Sequence, residues 1–197
     1  MTIGLKTVGA LTLGTMMLTY GGCMRSPSRV YPPPVNATAA GEAAMQEYDT
    51  NKDGKVTGEE LQKAPSLLSA IRNLDIDGDK AVTAQEVAKR IEVWQAKKHG
   101  QMIKMVNVKY QGRPLAGAIV VYEPEAFLGD NVMNTYNSTT DKRGMAVMRG
   151  IAPGLYKVKI TKEGLDLPAK YNTQTTLGDE VAEDAKGAVG GAVFVLE

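Results

Sequence analysis

The spacing of apolar positions changes several times along the chain, and each change marks a segment. An apolar run from Val8 to Leu18 follows the single early charge of Lys6. Residues 24–40, MRSPSRVYPPPVNATAA, have no apolar period and hold three consecutive prolines, the pattern of an extended, semi-rigid spacer. From Gly41 to Lys98 the period is helical. Leu67, Leu68, Ile71 and Leu74 share a segment that Pro65 suits as a first turn, and Val87, Ile91 and Trp94 fall on one helix face. After Lys97-Lys98-His99-Gly100 the period drops to two. Val106, Val108 and Tyr110 alternate with Asn107 and Lys109; Gln111-Gly112-Arg113-Pro114 reads as a turn and Ala116 to Tyr122 as the next strand. Tyr156, Val158 and Ile160 alternate again, and Ala192 to Leu196 is a last apolar strand. Short strands parted by glycine and proline turns predict an antiparallel β-sandwich over 101–197. The expected fold class is therefore α+β, a helical pair over 41–98 followed by the sandwich.

The apolar run, closed by the small pair Gly21-Gly22, reads as a signal peptide over residues 1–22 and is too short for a membrane span. Cys23, the only cysteine, cannot staple the fold. Its place directly after Gly-Gly resembles the lipid-attachment site of bacterial lipoproteins, with Tyr20 where that family usually carries leucine. The resemblance implies lipidation of Cys23, export, and anchoring at the cell envelope through a tether over 23–40. From Cys23 onward 22 basic residues balance 22 acidic ones, which gives no electrostatic reason to expect nucleic acid.

The most informative stretch is DTNKDGKVTGEE, Asp49 to Glu60. A hard cation takes six to eight oxygens, and a twelve-residue loop supplies them from places 1, 3, 5, 7, 9 and 12. Those places hold Asp49, Asn51, Asp53, the Lys55 carbonyl, Thr57 and Glu60, with Gly54 at the sharp turn and Val56 at the eighth place. A second loop begins 26 positions later and offers Asp75, Asp77, Asp79, the Ala81 carbonyl, Thr83 and Glu86, with Val82 matching Val56. Its sixth place is Lys80, a residue strained by roughly 1–2 kcal/mol at positive φ, set against a fourth carboxylate that strengthens cation attraction. These residues resemble a pair of EF-hands, which implies two Ca²⁺ ions. The close spacing and the lack of a methionine-rich groove favour a compact calcium-braced unit over an opening switch, and Trp94 lies where the two halves should meet.

In the second half, GRPLAGAIVVYEP (Gly112–Pro124) and TTDKRGMAVMRGIAPGLYKVKI (Thr139–Ile160) resemble the carboxypeptidase regulatory-like domain, a transthyretin-like sandwich. That resemblance implies an accessory or adhesive module contacting an envelope protein or glycan, without peptidase activity. Departures from it, around Glu125 to Asn134 and Leu165 to Gly187, read as solvated connections. Histidine-dependent hydrolysis lacks its residues, because His99 is the sole histidine and sits in the joint between the halves. Two rivals follow from the same residues: docking of a partner domain through the loops, as calcium repeats of dockerins do, or a carboxylate-only glycan-processing enzyme using Asp179, Glu180, Glu183 and Asp184. A charged surface loop is the simpler expectation for those four acids.

Overall fold

The computed structural model describes residues 34–97, 100–129, 132–185 and 191–197. The expected signal peptide, Cys23 and His99 lie outside the described residues. Four helices precede a set of β-strands, a mixed α+β chain. No helix among the described residues is long and apolar enough to cross a membrane.

Helix α1 (Ala37–Tyr48) begins inside the segment expected as tether. Asn36 explains the early start: its side-chain oxygen accepts from Ala39 N at 3.1 Å, and the alanine-rich stretch that follows favours helix. The buried positions Ala40, Ala44 and Tyr48 recur every four residues, and Gly41 lies so close to α4 that an added Cβ would stand 2.2 Å from Ala84 O. The two-residue strand β1 (Lys55–Val56) leads into α2 (Gly58–Lys63); α3 (Pro65–Leu74) follows, with Pro65 in its first turn as the pattern predicts. Strand β2 (Val82–Thr83) leads into α4 (Ala84–Ala96), whose Val87, Ile91 and Trp94 are all buried. Leu68 is the exception among the apolar helix positions and faces solvent.

The β half contains two four-stranded sheets. One joins β10 (Ala192–Leu196), β3 (Met102–Tyr110), β4 (Arg113–Pro114) and β7 (Met145–Ile151). The other runs β6 (Tyr136–Thr139), β5 (Ala118–Pro124), β8 (Gly154–Lys162), β9 (Leu177–Val181). The expectation of purely antiparallel pairing fails at one place, where β10 lies parallel to β3 with Ala192 opposite Val106 and Leu196 opposite Tyr110. Parallel partners need a long connection, and the rest of the sheet structure provides it. The turn after Tyr110 is also tighter than expected. Gln111 and Gly112 both have positive φ (48° and 77°), the conformation of a two-residue hairpin turn, so Arg113 and Pro114 pair with β3 as strand.

Two apolar clusters hold the molecule together. The β cluster takes Val106, Val108, Ala146 and Phe194 from one sheet and Val120, Tyr122, Val158 and Ile160 from the other. The helical cluster takes Tyr48, Val56, Leu67, Leu74, Val82, Ile91 and Trp94, and it is completed by Phe127, Leu128, Leu155, Ala182 and Ala185 from the β half. The helical pair thus has no closed core of its own. Phe127 and Leu128, on a single 3-10 turn within the segment expected to be a solvated connection, are buried in it.

Candidate metal centre and the joint behind it

The two acidic loops share a set of four side-chain-to-amide bonds at matching places. The first-place carboxylate accepts from the fifth- and sixth-place amides: Asp49 from Asp53 N (3.2 Å) and Gly54 N (2.9 Å), Asp75 from Asp79 N (3.1 Å) and Lys80 N (2.9 Å). The third place accepts from the fifth, Asn51 at 2.8 Å and Asp77 at 3.2 Å, and the fifth from the seventh, Asp53 from Lys55 N and Asp79 from Ala81 N, both at 2.9 Å. Each loop therefore curls around its side-chain oxygens, because alternate residues turn their short polar side chains back onto amides two positions on. Val56 and Val82 are register partners in the antiparallel β1–β2 ladder and are fully buried, which ties the loops side by side.

The twelfth-place glutamates close the loops. Glu60 Oε1 accepts from Thr50 N (2.9 Å), Thr50 Oγ1 (2.8 Å) and Asn51 N (3.1 Å). Glu86 Oε1 accepts from Ile76 N at 2.9 Å, while its Oε2 accepts from Thr83 N and Thr83 Oγ1, both at 2.9 Å. Thr57 with Glu60 and Thr83 with Glu86 also form reciprocal capping boxes at the starts of α2 and α4. The Thr and Glu positions serve the helices as well as any ion. The Thr50 hydroxyl, helped by backbone amides, holds the Glu60 carboxyl below its usual range. In the second loop, ligand atoms of Asp75, Asp77 and Glu86 lie within 4.8 Å of one another.

Two features of the loops were not visible in the pattern. Positive φ occurs at place four as well as place six, at Lys52 (61°) and Gly54 (85°) in the first loop and at Gly78 (79°) and Lys80 (65°) in the second. At places four and six each loop thus has one glycine and one lysine in the left-handed region, in opposite order, so the strain assigned to Lys80 has its counterpart at Lys52; the first loop adds Gly58 (48°) at place ten. The second feature is the Lys55 ammonium, 2.5 Å from Asp79 Oδ2 across the ladder. Its hydrogen bond is the main cause holding the Asp79 carboxyl below its usual range.

Behind the loops the helices meet β8 and β9 through buried charge. Adjacent strand residues point to opposite faces. Asp179 turns between the sheets, accepting from Tyr122 OH (2.6 Å) and pairing with Lys104 Nζ (2.7 Å). Glu180 turns toward the helices. It pairs with Arg90 Nε (2.5 Å) and accepts from Trp94 Nε1 (3.1 Å) and Asn73 Nδ2 (2.8 Å). Asp184 pairs with Arg90 Nη2 (2.6 Å) and Lys97 Nζ (2.8 Å), and Arg90 first, then Lys97, drives its carboxyl well below the usual range. The surface-loop expectation is therefore corrected for Asp179 and Glu180, which are buried in strand β9. Trp94 does lie at the meeting of the halves.

A further buried carboxylate, Glu125, follows β5. It accepts from Tyr48 OH (2.9 Å) and Ser66 Oγ (2.5 Å) and pairs with Lys157 Nζ (3.1 Å). Burial pushes its carboxyl above the ordinary range, opposed first by the Ser66 hydroxyl and then by the Lys157 charge. A carboxyl held high binds its proton more tightly in the fold than in the unfolded chain. Its contribution to stability is complete below the unfolded value and is lost as pH rises through the folded one. Lys157→Met removes the opposing charge, so the variant is expected to lose about 2 kcal/mol near neutral pH and progressively less on acidification, the half-buried lysine setting a value below that of a fully buried pair. Melting curves between about pH 4 and pH 8 read this directly. A deficit that does not vary with pH would remove Glu125 from the account.

The pairing of these residues was missed because nothing local marks it. The one available signal was alternation in LGDEVA, which places Asp179 and Glu180 on opposite faces of a strand. No protein-family model and no curated protein matches the chain.

Proposed function

We propose that the chain is a calcium-binding, non-enzymatic lipoprotein of the bacterial envelope, in which an EF-hand pair braces a transthyretin-like β-sandwich that contacts a protein or glycan. The observation that carries this reading is the repetition of four side-chain-oxygen-to-amide bonds at the same places of two loops, a duplication that a merely solvated acidic surface does not require. Asp49, Asn51, Asp53, the Lys55 carbonyl, Thr57 and Glu60 would hold one ion; Asp75, Asp77, Asp79, the Ala81 carbonyl, Thr83 and Glu86 would hold the other. An ion in each would supply divalent charge that partly offsets the three and four clustered carboxylates respectively. Supporting the bracing role, α4 runs directly from Glu86 to Arg90 and Trp94, the two residues that grip Glu180 of β9.

The test is a calorimetric Ca²⁺ titration of the chain from Met24 to Glu197, with Mg²⁺ as control. Two sites are expected, at the 10⁻⁴ to 10⁻³ M affinity of roughly the extracellular class. At a hundredfold excess over the dissociation constant each site adds about 2.7 kcal/mol, so the melting temperature should rise with calcium and fall with chelator. Glu60→Gln and Glu86→Gln together should abolish that rise. A parent protein indifferent to both calcium and chelator would refute the proposal.

A further inference from the structure

Of the ion pairs among the described residues, one sets a lysine amine against a carboxylate with both partners out of water. Lys104 Nζ stands 2.7 Å from Asp179 Oδ2, and the two side chains are 5 % and 9 % exposed. The other lysine pairs are wetter; Lys157, which faces Glu125, is 30 % exposed and Lys55, Lys97 and Lys159 more so. Arg90 with Glu180 is as deeply buried, but a guanidinium keeps its proton and has no lone pair to offer. Lys104 belongs to β3 of one sheet and Asp179 to β9 of the other. Val106 and Val108, which share the strand face of Lys104, and Val181, which shares that of Asp179, are members of the apolar β cluster.

Two charges held in such a place are poorly repaid by their attraction, and the pair gains by passing the ammonium proton to the carboxylate, which leaves an amine in contact with an acid. Burial does push the Asp179 carboxyl above its ordinary range, opposed first by the Lys104 charge. In water an amine and an acid do not condense, because both are ionised and water competes. A dry site that holds them together weakens both obstacles and supplies a high effective concentration. Tyr122 OH donates to Asp179 Oδ2 at 2.6 Å, and burial first, then the Asp179 charge, holds that hydroxyl well above its ordinary range, so it stays a donor. It points at an oxygen that gains charge when the carbonyl carbon is attacked. The product fits the same neighbours. Its amide oxygen would accept from Tyr122, and its one N–H would face the Glu180 carbonyl, which lies 3.4 Å from Nζ.

We propose that Lys104 and Asp179 join in an isopeptide bond, a covalent staple between the two sheets. The step needs no oxidant and no cofactor. One ammonium proton passes to the carboxylate, and the amine lone pair then attacks Asp179 Cγ to form the Nζ–Cγ bond. A Cγ–O bond breaks, and the departing hydroxyl leaves as water with a second proton taken from Nζ. A chain with a single cysteine cannot make a disulfide within itself, and this bond would constrain distant parts of the chain in the way a disulfide does.

The full chain, kept folded overnight, is denatured, digested with trypsin and mapped by mass spectrometry. The expected result is a branched peptide, lighter than its two parts by one water, whose fragments place the link between Lys104 and Asp179. Trypsin should fail to cut after Lys104, because the amide has removed its charge. Lys157 and Glu125, the wetter pair, should give no link. Lys104→Arg keeps a cation beside Asp179 but supplies no amine, so its peptides should appear separately and the denatured variant should migrate more slowly in a gel than the stapled parent. The parent alone decides the matter, so a variant that folds poorly does not blunt the test. Separate peptides from the parent, with cleavage after Lys104 as complete as at its exposed lysines, would overturn the proposal and leave an ion pair only. A link from Lys104 to any other acid would overturn it equally.

Discussion

Gly178→Ala is expected to destabilise the protein by about 3 kcal/mol, the upper range for forcing atoms into a packed contact. The position is not a turn and has no positive φ; the demand is purely spatial. A Cβ there would stand 2.1 Å from Pro65 O and 2.3 Å from Ser66 N, atoms of the first turn of α3 that cannot step aside as a flexible side chain can. Either α3 retreats from β9, which opens the helical core where it borrows Leu155 and Ala182, or the strand itself shifts. In a chain of this size the loss lowers the melting temperature by roughly 6–12 °C. Tryptophan fluorescence offers a second reading, because Trp94 keeps its bond to Glu180 only while the joint is closed. A Gly178→Ala protein that melts with the parent would show that the helices do not bear on β9 at all.

The second large effect is expected at Arg90. Its guanidinium is nearly buried between Glu180 and Asp184, with the Trp94 ring 5.9 Å away. Arg90→Met should cost about 3–5 kcal/mol, chiefly because Glu180, 2 % exposed, keeps a buried charge that Trp94 and Asn73 only hydrogen-bond. Adding Glu180→Gln should recover at least half of that loss, since the amide oxygen still accepts from Trp94 Nε1 and no charge remains to bury. Chemical denaturation of the two single variants and the double variant completes the cycle. Strict additivity would mean that the two residues do not act on each other and that the close contact contributes nothing.

The local form of the loops was legible in the chain and the joint was not, for a physical reason. The curl of each loop onto its own side-chain oxygens is set by local backbone geometry, so the alternation from Asp49 to Glu60 and from Asp75 to Glu86 could be read position by position, together with the pairing of Val56 with Val82. Even there, the second left-handed position escaped notice, because Lys52 is an ordinary residue until φ is known. Helix α1 began earlier than expected because one cap, Asn36, outweighs the lack of an apolar period. In the β half the alternation of Val106, Val108 and Tyr110 was sufficient to find β3, but not its parallel partner, since register between distant strands leaves no local trace. Glu125, Asp179 and Glu180 looked like surface acids for the same reason. Their partners Tyr48, Ser66, Arg90 and Lys104 are between 59 and 90 positions away, and only the folded chain brings them near.

The shared helical core also sets an order of events during folding. Helices α1 to α4 and their short ladder involve neighbours in sequence and can form while the rest of the chain is still unstructured. The face they turn inward stays incomplete until Phe127, Leu128, Leu155, Ala182 and Ala185 arrive. A cut in the connection near Gly100 would therefore not release two independent modules; the helical piece would expose a sticky apolar surface and seek a substitute for the missing strand β9. During synthesis the same surface is open for as long as the last third of the chain is absent, which is when a chaperone has something to hold.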